Sequence, residues 1–384
     1  MRKANARMET KVVHAGEPDP RIQGSVVMPI FQSAMFEYGG EASYHDVRYM
    51  RLSNLPNHLV LQAKLAALEN AEAAVVTSSG MAAITTTLLA VLKAGDHLLA
   101  QENLYGGTHD FVTRDFPGMG IQCDFIDAAN PDSWKSKLRP NTRAIYVESI
   151  SNPLMRVPDL KAVVAFAKAH DLISMIDNTF TSPVNFRPIE IGFDLALHSC
   201  TKYLNGHSDL VAGAAVGRLD LVTRIKHKLD HLGGSLDAHT AFLLQRGMKT
   251  LVLRVRQQNA SALKIAQFLE KHPAVERVNY PGLESHAQHR IARELFAGCS
   301  GMLSFELKGG VAAADRFMSA VKLPILAPSL GGAETLLTRP AQTSHAGLDP
   351  DERRKLGIAD ALIRMSVGIE ATEDILEDLQ QALA

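Results

Sequence analysis

The chain has 384 residues, of which 46% are hydrophobic and 21% charged; this composition is typical of globular proteins, and the length suggests about two domains. The 40 Lys and Arg residues nearly balance the 41 Asp and Glu residues, giving a formal net charge of -1, so no overall field would attract nucleic acid or an anionic membrane, and a small-molecule substrate is favoured. No run of about 20 apolar residues predicts a membrane span, and no apolar segment follows the basic residues near the start, so we expect a cytoplasmic protein.

Cysteine and histidine give no pattern of a metal site. Cys123, Cys200 and Cys299 are far apart in the sequence, which argues against a disulfide framework and against zinc. His286 and His289 have helical spacing, but no carboxylate or cysteine constellation completes a ligand set around them. We therefore expect packing cysteines, a solvent-facing histidine pair and no metal.

The first part of the chain predicts an arm followed by a large domain. Residues 1–45 are rich in Gly, Pro, Tyr and polar residues without sustained periodicity, and predict an extended arm that contacts a partner subunit. In residues 46–232, helical segments alternate with apolar strand candidates. These candidates are "AAVVTSS", "HLLAQ", "AIYVES", "LISMID", "LALHS" and "VAGAAVG". The alternation predicts an α/β domain with a mainly parallel sheet.

The remainder, residues 233–384, has a different character. A long helical stretch follows Gly233 and Gly234, and the strand candidates "VERVNY", "GMLSFEL" and "LIRMSVGIE" are separated by helices. The last segment, "TEDILEDLQQAL", predicts an amphipathic helix. We expect a smaller C-terminal α+β domain.

Three segments of the large domain could carry chemistry, and each has an ordinary structural explanation as well. Ser78, Ser79 and Gly80 lead from a strand into a helix, whose N-terminus could bind an anion or simply be capped by serine. Asp177 follows an apolar strand, where it could meet a buried cationic nitrogen or cap a turn. Lys202, in "LHSCTKYLNGHSD", could act as a nucleophile or be a solvated charge.

Taken together, the three segments match the needs of one cofactor. Pyridoxal phosphate requires a phosphate anchor, an acid beside its ring nitrogen and a lysine that bonds to its aldehyde. Ser199 and Thr201 lie on the same predicted turn as Lys202 and could help to hold the phosphate. The sequence therefore predicts a pyridoxal-phosphate enzyme.

The order of the motifs resembles, over essentially the whole chain, one family of pyridoxal-phosphate enzymes. The matching segments are "SSGMAAI", "ENLYGGTH", "ESISNPL", "IDNTF", "HSCTKYLNGHSD", "RGMKTL", "PSLGGAETL" and "LIRMSVGIE". The family is that of cysteine and methionine metabolism: cystathionine γ-synthase, cystathionine γ- and β-lyases, methionine γ-lyase and the O-acylhomoserine sulfhydrylases. The resemblance implies the type I pyridoxal-phosphate transferase fold, like that of aspartate aminotransferase, with a mainly parallel sheet and a smaller C-terminal α+β domain.

The resemblance also implies roles for residues around the cofactor. Lys202 would bind it covalently and later move protons, Asp177 would keep the ring nitrogen protonated, and Tyr105 would stack on the ring and take part in acid–base chemistry. Asn152 would contact the ring hydroxyl and the substrate carboxylate. The phosphate would be bound by Gly80, Met81, Ser199 and Thr201.

Two further residues are implied at the substrate end. Arg364 lies inside an apolar strand segment, where a buried guanidinium needs a strong partner. The family gives it the substrate α-carboxylate, and Ser329 would line the same end.

Tyr49 and Arg51, in "VRYMRLSNLPN", match the family's Tyr-x-Arg pair that reaches the phosphate of the neighbouring subunit. The resemblance thus implies a homodimer with shared active sites, usually doubled into a homotetramer. The sequence departs from the commoner continuation after this pair, Arg-x-x-Asn-Pro-Thr, which leaves the shape of this loop open.

The exact reaction is open, because the family members share the early chemistry. We favour a carbon–sulfur lyase that cleaves cystathionine or a related thioether amino acid by β- or γ-elimination to a thiol, ammonia and an oxo acid. Pro328 stands where many cystathionine γ-enzymes have an acidic residue, and Gly107 stands where methionine γ-lyases typically have cysteine. The close alternative is γ-replacement on an O-acylhomoserine, and a remote one is a non-catalytic binding homologue.

Overall fold

The computed structural model describes residues 6–384, apart from the side chain of Glu352, so the first five residues of the predicted arm lie outside it. The main sheet has seven strands in the order β1-β7-β6-β5-β4-β2-β3, and β7 runs antiparallel to both of its neighbours while the other pairs are parallel. Its strands are β1 (Ala73–Thr77), β2 (His97–Gln101), β3 (Gln122–Ile126), β4 (Thr142–Glu148), β5 (Ile173–Asp177), β6 (Leu195–Ser199) and β7 (Gly213–Gly217).

Both faces of this sheet are covered, which explains why its central strands read as continuous apolar runs. Val75 and Leu98 pack into the hydrophobic cluster on one face, whereas their chain neighbours Val76 and Leu99 pack into the cluster on the other. This alternation follows from the two-residue repeat of a strand.

A second, five-stranded sheet follows in the C-terminal part, in the order β10-β11-β12-β9-β8. Its strands are β8 (Val275–Asn279), β9 (Met302–Leu307), β10 (Ile325–Leu326), β11 (Leu336–Thr338) and β12 (Ile363–Ser366). All of its pairs are antiparallel except β10 with β11. Phe305 and Phe317 pack edge-to-face in the separate core that this sheet forms with its helices.

The α-helices are α1 (Met8–His14), α2 (Pro56–Glu69), α3 (Gly80–Val91), α4 (Gly106–Asp110), α5 (Leu160–Ala169), α6 (Ser182–Asn185), α7 (Pro188–Ile191), α8 (Leu219–Leu232), α9 (Ala238–Met248), α10 (Leu251–Lys271), α11 (His289–Leu295), α12 (Gly310–Ala320), α13 (Pro350–Lys355) and α14 (Thr372–Ala382). Several begin at a side chain that caps the first turn. Ser79, Asp159 and Asp237 each accept a hydrogen bond from a backbone N–H three residues further on.

The segment predicted to be an arm contains one short helix. Val12 of α1 is buried in the main core, and the Lys64 amine of α2 donates to its carbonyl. Between Ala15 and Leu55 the chain forms only short 3-10 turns and one β-bridge, Met35 with Tyr49. The domain boundaries at residues 45 and 232 stay a prediction.

The architecture matches the predicted type I fold: a mainly parallel, helix-covered sheet and a smaller α+β part. In such sheets the loops at the carboxyl ends of the strands form the ligand site. In residues 6–384, no helix is long and apolar enough to cross a membrane.

Candidate active site

A cavity of about 890 Å³ opens where β4, β5 and β6 end, and residues from the C-terminal part complete its wall. It is lined by ten of the residues predicted from the sequence: Gly80, Met81, Tyr105, Asn152, Asp177, Ser199, Thr201, Lys202, Ser329 and Arg364. Tyr49 and Arg51 do not line it. The fold thus brings together residues that are scattered over most of the chain.

One end of the cavity is suited to an anion. Helix α3 begins at Gly80, and Ser79 accepts from the backbone N–H groups of Ala82 and Ala83, whereas those of Gly80 and Met81 have no earlier turn to donate to. A Cβ on Gly80 would lie only 2.8 Å from the side chain of Ser199, so the helix start and the end of β6 meet at this glycine. Thr201, also on the cavity wall, both donates to and accepts from the backbone of Ala212 through its hydroxyl. Helix α3 therefore begins beside small residues at this end of the cavity, an arrangement that suits an anion such as a phosphate.

Two carboxyl groups lie side by side in the cavity wall. Asp177 ends β5 and accepts a hydrogen bond from the backbone N–H of Thr179 at 2.9 Å. Glu148 ends β4 opposite Asp177 in the strand register, and its Oε1 accepts from the backbone N–H of Tyr105 at 2.5 Å. Burial, followed by the charge of Asp177, raises the pKa of Glu148 well above its ordinary value. Burial also raises the pKa of Asp177, although its hydrogen bonds with Thr179 oppose this.

Glu148 was not predicted as a site residue. The sequence did contain a signal for it, because an acid directly after the apolar segment "AIYV" has the same pattern as Asp177 after "SMI". Only the parallel register of β4 and β5 shows that the two acids are neighbours.

Lys202 lies on the turn that follows β6, and its amine donates to the Ser329 hydroxyl at 2.7 Å. Burial, with a smaller contribution from the positive charge of Arg364, lowers the pKa of Lys202 to about 8. The amine is therefore mainly uncharged above about pH 8, far below the usual range for lysine, and can then act as a nucleophile or base.

Arg364 lies in β12 and is buried. Its two terminal nitrogens donate to Asn152 Oδ1 and to the Ser329 carbonyl, each at 3.0 Å. Its Nε is buried and has no hydrogen-bond partner among the described residues. Burial lowers the pKa of Arg364 to about 10, so the guanidinium remains charged and has a donor available for an anion.

The Tyr105 side chain is 43% exposed and forms another wall of the cavity. Its ring lies directly over Gly107, where a Cβ would be 2.8 Å from the ring and 3.0 Å from Met81 Sδ. The loop carrying Ser344 and His345 packs against the same turn, since a Cβ on Gly106 would lie 2.3 Å from the Ser344 carbonyl oxygen. His345 was not predicted, and nothing in its local sequence marks it.

The structure places Tyr49 and Arg51 away from the cavity of their own chain. The Arg51 guanidinium donates to the Asp230 carbonyl and to the Tyr44 hydroxyl, and it lies 5.7 Å from the centre of the Tyr49 ring. Their predicted contact with the phosphate of a neighbouring subunit stays a prediction.

The residues present fit pyridoxal phosphate. A helix N-terminus suits its phosphate, a buried carboxyl group suits a cationic ring nitrogen, and a lysine of lowered pKa suits its aldehyde. These groups line one cavity.

Comparison with known proteins decides the family. The profile of the Cys/Met metabolism PLP-dependent enzymes matches residues 9–384. The chain belongs to this family. The predictions of the family and of pyridoxal phosphate as cofactor are therefore confirmed.

Individual members of the family are similar to nearly the whole chain. An L-methionine gamma-lyase of Treponema denticola is 40% identical over 97% of this chain and 96% of its own. A cystathionine beta-lyase of Lactococcus lactis is 41% identical over 98% of both. The crystal structure of cystathionine gamma-lyase from Lactobacillus plantarum complexed with L-serine has a TM-score of 0.94 and 35% identity, and it covers 98% of both chains. These relatives confirm the prediction of a lyase of the carbon–sulfur type.

Proposed function

We propose that this lyase cleaves the carbon–sulfur bond of cystathionine or a related thioether amino acid, by β- or γ-elimination, to a thiol, ammonia and an oxo acid. One observation carries the proposal: Lys202 and Arg364 line one cavity and both contact Ser329, the amine through the Ser329 hydroxyl and the guanidinium through the Ser329 carbonyl. A proton-transfer group and an anion-binding group so close together suit an α-amino acid.

Bound pyridoxal phosphate would supply an aldehyde for amino groups and an electron-withdrawing ring that stabilises negative charge at the substrate Cα. The N-terminus of α3, with Gly80, Met81, Ser199 and Thr201, would hold the phosphate. Asp177 would hold a proton on the ring nitrogen, since the buried carboxylate and the cation would neutralise each other.

At the substrate end, Arg364 would bind the α-carboxylate. Its two terminal nitrogens donate to Asn152 and Ser329, and its Nε would be a further donor. Asn152 would orient both the ring hydroxyl and the carboxylate. Lys202 Nζ, uncharged above about pH 8, would remove the proton from Cα. Ser329 Oγ accepts a hydrogen bond from this amine and would keep it aimed into the cavity.

The thioether substrate is supported by the relatives named above, whose substrates are methionine and cystathionine by name. Gly107 is covered by the Tyr105 ring, so the side chain that methionine γ-lyases typically carry there would require Tyr105 or Met81 to shift. We therefore rank cystathionine above methionine.

The test is an assay of the purified holoenzyme with L-cystathionine, L-methionine, and O-succinyl- or O-acetylhomoserine plus cysteine. Pyruvate with homocysteine from cystathionine would indicate β-elimination, and 2-oxobutyrate with cysteine would indicate γ-elimination. If the thioethers are inert while an acylhomoserine and cysteine yield cystathionine, the enzyme catalyses replacement and the proposal is wrong.

We further propose that the working unit is a homodimer in which Tyr49 and Arg51 complete the phosphate site of the partner, with a homotetramer and a cytoplasmic location as further expectations. A test mixes inactive Arg51→Ala subunits with inactive Lys202→Ala subunits. Hybrid dimers should regain activity, because one of their two sites has all of its residues intact. Mixing Lys202→Ala with Arg364→Ala subunits is the control and should regain none, since both residues belong to the same chain's site.

A further inference from the structure

We propose that Arg254 and Gln258, one helical turn apart on α10, are positioning residues that hold the Lys202 turn and the Ser329 turn against each other. Neither residue lines the cavity. The inference rests on the proposed role of Lys202 and extends it to the residues that place its amine.

Arg254 is a buried guanidinium whose hydrogen-bond partners among the described residues are all neutral. Nη1 donates to the Tyr203 carbonyl at 2.9 Å, Nη2 to the Gly247 carbonyl at 3.0 Å, and Nε to the Thr250 hydroxyl at 3.1 Å. With only 5% of the residue exposed, burial lowers its pKa to about 10. Burying a cation without a carboxylate partner costs free energy, so these three hydrogen bonds must offset the lost hydration.

The backbone around Arg254 is built to receive it. Gly247 lies in the last turn of α9, at the negative end of the helix dipole, and its carbonyl also accepts from the backbone N–H and the hydroxyl of Thr250. On the Lys202 side, a Cβ on Gly206 would lie 1.7 Å from Nη1. Gly206 also has φ +72°, so glycine is required there both for space and for conformation. The turn from Lys202 to Gly206 is therefore folded directly onto the guanidinium.

Gln258 holds the second turn. It is fully buried, and its Nε2 donates to the Gly332 carbonyl at 2.7 Å. The neighbouring Gly331 donates to the Ser366 hydroxyl at 2.8 Å, and a Cβ on Gly331 would lie 2.7 Å from the Tyr203 nitrogen. The turn that carries Ser329 is thus in close contact with the turn that carries Lys202.

The contact between the two turns is what places the reactive amine. Ser329 has φ +88°, a conformation that non-glycine residues rarely adopt and that persists only when surrounding contacts impose it. Its hydroxyl accepts from Lys202 Nζ at 2.7 Å. Because the two turns are far apart in the chain, a rigid helix face that bonds to both can fix this distance.

The test compares Arg254→Met, Arg254→Lys and Gln258→Leu with two matched controls from the same helix. Arg256→Met removes an exposed arginine that pairs with Glu9, and Gln257→Leu removes an exposed glutamine whose side chain donates to the Ser261 hydroxyl. Three quantities are measured for each purified full-length protein: the affinity for pyridoxal phosphate by absorbance titration after its removal, the pH dependence of its covalent attachment, and thermal unfolding.

Arg254→Met and Gln258→Leu should bind the cofactor about tenfold more weakly or worse. The pH midpoint of attachment should move upward from about 8 towards the ordinary 10.5, because a looser turn leaves the Lys202 amine better hydrated. The other titratable groups that line the cavity are unchanged in these variants: Arg364, Asp177, Glu148, Tyr105, Asp110 and His345. Arg254→Lys, which keeps the charge, should lie between Arg254→Met and wild type, and both controls should behave like wild type.

The inference is overturned if Arg254→Met and Gln258→Leu lose thermal stability but keep the wild-type affinity and pH midpoint, since that pattern shows structural support only. If Arg254→Met does not fold, Arg254→Lys and Gln258→Leu decide by the same criterion. Failure of the proposed function is distinguishable, because then the wild type itself would show no covalent attachment at Lys202 by peptide mass after borohydride reduction.

Discussion

Two buried arginines contact the loops around Lys202, and they differ in what their donors are free to do. Arg364 lines the cavity and has an unpartnered Nε. Arg254 lies outside the cavity, and each of its three nitrogens donates to a backbone carbonyl or a hydroxyl. The same side chain therefore serves two purposes: Arg364 lies at the cavity wall, where a ligand can reach its charge, whereas all three nitrogens of Arg254 donate to the protein outside the cavity.

The comparison yields predictions that separate the two regions. Arg364 should matter for the substrate and little for the cofactor, whereas Arg254 should matter for the cofactor first. A second buried lysine, Lys64, lies outside the cavity and can be compared with Lys202 in the same way.

The largest effect is expected for Lys202→Ala, because the covalent bond to the cofactor and the Cα base are lost together. Activity should fall by about 10³-fold or more, and the visible absorption of the bound cofactor should change. The control is Lys64→Met: this lysine is also buried with its pKa lowered to about 8, but it bonds to Val12 and lies outside the cavity. Equal loss of activity in both variants would contradict the assignment.

Arg364→Met should lower kcat/KM by about 10²-fold or more, since an ionic contact to a buried carboxylate is worth about 2–5 kcal/mol. Affinity for pyridoxal phosphate, measured by absorbance titration, should change little. Arg339→Met is the control, because Arg339 is also buried but pairs with Asp315 outside the cavity. If Arg364→Met and Arg254→Met weaken cofactor and substrate binding in the same proportion, the distinction between the two arginines is lost.

A smaller effect concerns pH. The Lys202 amine is protonated below about pH 8 and neutral above it, so cofactor attachment should accelerate as pH rises and level off above that value. The positive charge of Arg364 contributes to the lowered pKa, and its removal in Arg364→Met should move the midpoint to higher pH. Stopped-flow absorbance at a series of pH values measures both curves. A midpoint that stays in place would show that Arg364 does not act on this amine.

The smallest effect is expected for Glu148→Gln, which keeps the shape of the side chain and one acceptor for the Tyr105 N–H. It removes a titratable group whose own pKa is raised by the charge of Asp177, so the coupled titration of the two acids is lost. We expect about a tenfold loss of kcat and a shift in the pH titration of the cofactor absorbance. Glu102→Gln, outside the cavity, is the control. An unchanged titration of the cofactor absorbance in Glu148→Gln would exclude an electrostatic interaction between Glu148 and Asp177.

Much of the site followed from sequence patterns of short range. Lys202 with its hydroxyl neighbours, Asp177 after an apolar strand, and an arginine within the apolar segment "LIRMS" were all noticeable without a structure. The alternation of apolar strands and helices likewise indicated the large sheet. These features are local, because strand and helix periodicity and unusual polar residues are visible within a few positions.

Other residues could not be found in this way. In "TLVLRVRQQ", Arg254 and Arg256 look equivalent, as do Gln257 and Gln258. The structure buries Arg254 and Gln258 and leaves Arg256 exposed, because only one face of α10 meets the Lys202 and Ser329 turns. The packing of elements that are distant in sequence determines which face of α10 meets these turns.

The sequence by itself thus determined the cofactor and the type of residue at each end of the cavity, since these depend on local chemistry, and the order of its motifs indicated the family by resemblance. Only the tertiary structure decided that Glu148 lies beside Asp177 and that the amine of Lys202 reaches Ser329. It also decided that Arg254 donates to the carbonyl of Tyr203, on the turn that carries Lys202. Strand register and helix orientation are set by the burial of apolar surface over the whole molecule, and no short segment contains that information.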